Sequence, residues 1–333
     1  MPIPNPQLVP PATSAPAIVA PQLPSASGSR WIEPGAVWPD NRSQPIQAHG
    51  GGLLKVGDLF YWFGEDRTQS IEQGHRCVAC YSSPDLLNWT FRKQVVNTAM
   101  PENLGDRWEL ERPKVYFNQK TNKFVMYAHL DGPSYKLASV AIFVSDTVDG
   151  DYKYVKHFRP LGLESRDIGQ FIDDDGSAYL IFESRPSYGF YIASLSDDYM
   201  DVAKQTCFIN SPLEGGALVH YEGVYYVIGS HLSGWAPNPN VYATSKSLQG
   251  PWTTFKDIAP SSTKTYGSQS AFLLKVAGTQ KTTVIFVGDM WRAKSLWDSR
   301  YMLMPLTIGD GQLSLPAPRP WTIDVNTGVV TFK

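Results

Sequence analysis

Cysteine is scarce in this sequence. Cys77, Cys80 and Cys207 are the 3 in 333 residues, an odd number that closes no disulfide framework. On an extended strand Cys77 and Cys80 point to opposite faces, and no second Cys/His pair sits at ligand spacing, so buried thiols are expected rather than zinc or redox chemistry. Charge of one sign is also lacking: 29 Lys+Arg stand against 31 Asp+Glu, for a net charge of -2, and no long basic run occurs. That excludes the electrostatic footprint of a nucleic-acid binder and suits a neutral ligand. No apolar run approaches the ~20 residues of a membrane helix, so no integral membrane segment is expected. Helical periodicity is almost missing, which removes bundle folds from consideration. The first 29 residues, rich in Pro, Ala and Ser, have neither a charged n-region nor an apolar h-region. They read as a flexible arm ahead of a single domain over residues 30–333.

Hydrophobic residues make up 42% of the chain and aromatics 13%, with 10 Trp and 17 Tyr, enough for a full core and for flat faces that suit sugar rings. One signature recurs, a polar turn followed by an aromatic, alternating strand: KVGDLFYWFGE, NQKTNKFVMYAHL, DDDGSAYLIFES, HYEGVYYVIGSHL and VAGTQKTTVIFVGDM. The copies lie roughly 45 to 65 residues apart, a spacing typical of propeller repeats. Each leads into a looser strand, turn and strand, as in YSSPDLLNWTF and YATSKSLQGPWTTF, so each unit holds about four short strands, the content of one blade. The expected fold is all-β, a five-bladed β-propeller. The segment after Leu313 is expected to close the ring or pack along its side, and Asp173 to Gly176 to form a hairpin turn rather than a calcium loop.

In a propeller the innermost strands converge on one axial pocket. The five inner-strand entrances read QAHGGGLL, LERPKVYF, SRDIGQFI, LEGGALVH and GSQSAFLL, which place Gln47 or His49, Glu111, Asp167, Glu214 and Gln269 toward the axis. Ordinary rim salt bridges, Glu111 with Arg112 or Lys114 and Asp167 with Arg166, are the alternative for each acid taken singly. Three acids at equivalent repeat positions weigh against it. Two carboxyl groups across a sugar pocket are what glycoside hydrolysis requires, and a third nearby raises the pKa of the proton donor.

The five-unit pattern, with SRDIGQFIDDDGSAYLIF and LEGGALVHYEGVYYVIGSHLSGW, resembles glycoside hydrolase family 43, the inverting five-bladed propeller glycosidases. HGGGLLKVGDLFYWFGED, WELERPKVYFNQKTNKFVMYAHLDG and GSQSAF look closest to its exo-β-1,3-galactanase branch. The resemblance implies Glu214 as general acid and Asp167 as its pKa modulator and orienter. Most members carry an aspartate base at the entry of the first blade, where this chain reads Gln47-Ala48-His49 and has no carboxylate. The galactanase branch shares that absence, and there the residue matching Gln269 looks like the holder of the nucleophilic water. Glu111 is then a galactose hydroxyl ligand sharing in proton transfer.

Glu65 or Asp66 at the end of FYWFGED and, by the resemblance, Tyr135 are expected to bind sugar hydroxyls. Trp235 and Trp291 are candidates for stacking on a sugar face, with core filling as the alternative, and Asn238 for a hydrogen bond. His49 is grouped with the pocket as an axial donor or ion anchor, although a satisfied structural histidine is the preferred reading. Ser184-Arg185-Pro186 departs from the branch's polar pattern. The expected partner is a β-1,3-galactan or arabinogalactan oligosaccharide, acted on outside the cell by a monomer that needs no cofactor. The competing readings are an arabinofuranosidase or xylosidase, and a sugar-binding propeller without catalysis.

Overall fold

The computed structural model describes residues 8–9, 30–68, 77–96 and 108–333; apart from Leu8–Val9, the Pro/Ala-rich segment 1–29 lies outside the described residues. Five sheets follow one another around the ring, antiparallel but for Leu8–Val9, which adds in parallel to the first; their innermost ring strands are His49–Val56, Glu109–Asn118, Ile168–Ile172, Leu213–Tyr221 and Gln269–Ala277. Successive inner strands lie against one another and the fifth touches the first, so the expected five-bladed propeller is what forms. Among the described residues the first four blades have four strands each within the ring, while the fifth has three, ending at Arg300–Pro305.

Alternation along the strands has a purpose specific to this architecture. Each blade is sandwiched between two others, so both faces of its strands are buried and the two alternating sets of side chains enter two different cores. In Leu59–Asp66, Phe60 and Trp62 join a core shared with the fourth and fifth blades, whereas Tyr61 and Phe63 join the one shared with the second blade. In Lys123–Asp131, Met126 and Ala128 face the first blade, and Val125 and Tyr127 face the third. Cys80 packs in the core with the second blade, and all three thiols are free and buried.

The ring is closed from the side. A C-terminal hairpin, Trp321–Asp324 with Val329–Phe332, pairs back to Ile32 through Trp321, whose indole N–H donates to the Leu303 carbonyl at 2.8 Å. Trp321 is fully buried in the core that joins the first, fourth and fifth blades. The turn at Asp173 to Gly176 is a hairpin, closed by Asp173 N–H to the Ser177 carbonyl at 2.9 Å. There the Asp173 carboxylate accepts from the Tyr225 hydroxyl, and Asp174 is paired with Lys275. Deleting the indole of Trp321 removes both its packing and its tie to Leu303. Trp321→Ala is expected to cost about 3–5 kcal/mol of stability in denaturant unfolding; a loss under about 1 kcal/mol would show that the hairpin does not fasten the ring.

Candidate active site

All five inner strands enter the ring from the same mouth, and hairpin register sets the partner of each entrance residue. His49 pairs with Glu65, Glu111 with His129, Glu214 with Ser230 and Gln269 with Asp289. In the third blade the Glu183 N–H donates to the Asp167 carbonyl at 2.9 Å, beside the pair Ile168–Phe182. The site is therefore built from cross-strand pairs. Sequence reasoning reached mainly the inner partners; His129, Glu183, Ser230 and Asp289 are the polar ends of apolar second strands, a signal present in HLD, ESR, GSH and GDM. Four inner strands also slip register just inside the mouth, after His49, Glu111, Glu214 and Ser270. Such bulges bend a strand and re-aim its side chains. Gly50 and Gly215 at two of them have φ of +57° and +64°, and a Cβ on Gly50 would stand 2.4 Å from Glu65 Oε1.

One half of the site gathers around Glu214. Asp167, Glu183 and Glu214 bring carboxylate oxygens within 4.8 Å of one another. Burial first, then the charges of Asp167 and Glu183, push the Glu214 carboxyl up to about 8. Glu183 is also raised, by burial and by Asp167, and its Oε2 is buried without a hydrogen-bond partner. Two arginines balance the cluster: Arg112 Nε lies 2.9 Å from Asp167 Oδ2, and Arg185 bonds Glu183 at 2.9 Å and reaches Glu214 at 3.5 Å. Three carboxylates form a donor set that suits a divalent cation, but here the guanidinium groups supply the positive charge. Gln269 donates from Nε2 to Glu214 Oε1 at 3.0 Å and to Ser230 Oγ at 2.9 Å.

The other half centres on Arg67. Its guanidinium is paired with Glu65, lies 3.1 Å from Glu111 and 3.6 Å from Glu109. Glu111 Oε1 also accepts from the Tyr135 hydroxyl at 3.0 Å, and Oε2 lies 3.0 Å from His129 Nδ1. His129 Nε2 is 3.1 Å from Asp131, which in turn accepts from the Leu137 and Ala138 N–H groups. Burial disfavours every charge here, yet the His129 contact, Arg67 and Tyr135 hold the Glu111 carboxyl well below the usual range. His129 is desolvated too, but its two carboxylate partners raise it to about 9. Glu65 goes the opposite way: burial outweighs Arg67 and pushes it up to about 7.

Several expected sugar ligands have other tasks. The Glu65 side chain is only 1% exposed, with Oε1 accepting the Arg112 N–H and Oε2 facing Arg67; it braces two arginines instead of facing solvent. Asp66 caps Thr68 and accepts from Gln94. His49 has no exposed surface, is 3.0 Å from Asp289 and stacks on Tyr301, so its place among the sugar contacts is corrected to the structural role. Asn238 bonds to His231 and Ser233 within its own loop and lines a depression together with Trp235. Trp235 and Trp291 meet edge to face at 5.0 Å and, with Gln269 and Asp289, line a small depression. Trp235 is 39% exposed, with the Arg67 guanidinium 5.8 Å over its ring, whereas the Trp291 N–H is bound to Gln269 Oε1 at 2.9 Å. Gln47, at the first-blade entry, donates to the Trp297 carbonyl and accepts from Arg67 N–H, and no carboxylate stands there.

One carboxyl kept protonated near neutral pH, Glu214, and another kept ionised, Glu111, with aromatic walls at the mouth, are what cleavage of a glycosidic bond needs. The class of protein this defines is a glycoside hydrolase. Residues 51–284 match the glycosyl hydrolases family 43, and the chain belongs to that family. An exo-β-1,3-galactanase from Phanerochaete chrysosporium, solved with β-1,3-galactotriose, is 39% identical over 91% of this chain and 70% of its own, with a TM-score of 0.85. Another exo-β-1,3-galactanase, from Clostridium thermocellum, is 33% identical over 90% of this chain and 68% of its own, with a TM-score of 0.82. A family 43 β-1,3-galactosidase is 33% identical over 89% of this chain and 64% of its own, at a TM-score of 0.82. No curated protein sequence matches significantly.

The pH response of the acid cluster follows from its charges. A proton donor works while protonated, so activity that depends on Glu214 falls as pH rises through about 8. Glu183→Gln removes a neighbouring negative charge and keeps the shape, so the alkaline limb of kcat/KM is expected to move down by about one pH unit. An unmoved limb would mean that Glu183 does not set the Glu214 proton affinity.

Proposed function

We propose that the chain is an inverting exo-β-1,3-galactanase that releases galactose from the non-reducing end of β-1,3-galactan, the main chain of arabinogalactan. The observation that carries this reading is the contact of Gln269 with Glu214, at 3.0 Å, in a site whose first-blade entry offers no carboxylate base. The likeness to galactanases supports the choice of sugar and linkage. In this reading Glu214 protonates the leaving oxygen, and Asp167 and Glu183 keep it protonated until substrate arrives. Gln269 has both lone pairs of Oε1 and both Nε2 protons engaged, so it takes hold of the nucleophilic water only when Glu214 turns to the glycosidic oxygen and frees one Nε2–H.

A donor amide orients the water but does not take its proton. That falls to a carboxylate that stays ionised, and Glu111, 11% exposed at the side chain, is the group held that way. With the Tyr135 hydroxyl it also offers bonds to the galactose hydroxyls, and Trp235 offers the ring face against which the sugar packs. A galactan main chain is a polymer, which places its degradation outside the cell.

Proton NMR of the anomeric signals during digestion of β-1,3-galactobiose and β-1,3-galactotriose tests the reaction. α-Galactose is expected to appear first. β-Galactose first would exclude inversion, and turnover of arabinosides or xylosides alone would replace the substrate. Glu214→Gln is expected to bind galactotriose but lose about 10²–10⁴-fold in kcat, the usual worth of a general acid; wild-type turnover would remove Glu214 from that role.

A further inference from the structure

Arg112 breaks the pattern of its own repeat. At the mouth of the first and fourth blades the residue after the pocket-facing position is a glycine in the left-handed region, Gly50 and Gly215. In the second blade the equivalent position, after Glu111, is Arg112 with φ of +50°. An arginine there is strained, and the Pro113 that follows further restricts it. Backbone strain of this kind persists where the surroundings over-determine it and clusters at functional sites. The side chain is buried and each nitrogen of its guanidinium has a partner: Nε with Asp167 at 2.9 Å, Nη1 with the Ser270 carbonyl at 3.1 Å, and Nη2 with Gln269 Oε1 at 2.7 Å. Its backbone N–H donates to Glu65 at 2.9 Å.

The consequence lies in the Gln269 carboxamide. An amide side chain can be turned end for end with little change of shape, exchanging a donor for an acceptor. Arginine and the tryptophan indole can only donate, and Arg112 and Trp291 both meet the same end of Gln269, at 2.7 and 2.9 Å. That end must be the oxygen. The nitrogen is thereby forced toward Glu214 and Ser230. We infer that Arg112 is a positioning residue for the reaction, whose guanidinium dictates which end of Gln269 faces the acid and the water while holding Asp167 in the same grip. The inference rests on the glycosidase reading and goes beyond it by assigning a role to a residue outside the proposed sugar contacts. Lysine cannot replace it, because a point charge does not present a rigid fork to an amide, a carbonyl and a carboxylate together.

A double-variant cycle tests this on β-1,3-galactobiose, or, if wild type leaves that sugar intact, on whichever glycoside it does hydrolyse; a change of substrate corrects the proposed specificity and leaves the inference standing. Arg112→Lys and Arg112→Met are each expected to lose on the order of 10²-fold in kcat, the size of a misplaced reacting group, with KM within about threefold. Gln269→Ala is expected to lose at least as much, and Arg112→Met/Gln269→Ala no more than about threefold beyond Gln269→Ala alone, because residues that act as a unit are not additive. If the Met variant does not fold by circular dichroism, Arg112→Lys/Gln269→Ala completes the cycle. Losses that multiply, or full kcat in Arg112→Lys, overturn the inference. A reading independent of turnover is the side-chain amide NMR signal of Gln269, assigned by its disappearance in Gln269→Ala. It is expected to be exchange-protected in wild type and to lose that protection in Arg112→Lys; an unchanged signal overturns the inference even if no glycoside is hydrolysed.

Discussion

The constraint on which the rest of this structure depends is the cost of buried charge. Glu65, Glu109, Glu111, Asp131, Glu183, Glu214 and Asp289 are all buried at one mouth of the ring, where an unpaired carboxylate is heavily penalised. Few cations compensate them. Arg67 serves three carboxylates and Arg112 bridges Asp167 to the amide of Gln269, while His129 stands between Glu111 and Asp131. Deeper still, the Lys114 ammonium rests on the Gly50 and Gly51 carbonyls at 2.7 and 3.2 Å, and burial together with Arg112 lowers it to about 7. Because positive groups are fewer than negative ones, they are shared unequally, and unequal sharing makes chemically similar carboxyls differ.

That difference is the functional content of the pocket. Glu111 sits with three donors and stays ionised; Glu214 sits with two acids and stays protonated near neutral pH. Neither property belongs to glutamate as a residue type. Hairpin register sets Glu111 opposite His129, and the meeting of neighbouring blades brings Arg67 to Glu111 and Asp167 and Glu183 to Glu214. The propeller matters here as a device that brings five such hairpin ends to one axis, and its core is divided among blade interfaces so that no single strand carries the closure. Trp321 and Ile32 complete that closure from the side, far along the chain from each other.

The entrance bulges join the scaffold to the chemistry. A regular strand would send successive side chains alternately to the two faces, and the slips at four of the entrances turn a side chain toward the axis instead. Glycine is the usual means, as at Gly50 and Gly215. At Arg112 the same backbone conformation is held by an arginine, and the strain is borne where three blades need a common counter-charge.

Much of this was legible in the residues. The recurring turn and aromatic strand define five blades because each blade must bury both faces, and that demand is written locally, as in Leu59–Asp66 or Val224–His231. The same repeat places Glu111, Asp167, Glu214 and Gln269 at equivalent entrances. Composition and spacing could not decide that His49 and Glu65 would be sealed from solvent, that Asn238 would bond within its own loop, or that Arg112 and Arg67 would divide the carboxylates between them. Those outcomes depend on which groups from distant parts of the chain meet across a few ångströms, where desolvation and charge act together. Sequence by itself determined the blades and the list of candidate acids, since strand pattern is a local property. The tertiary structure alone decided which acid keeps its proton, since proton affinity belongs to the assembled neighbourhood and not to the residue.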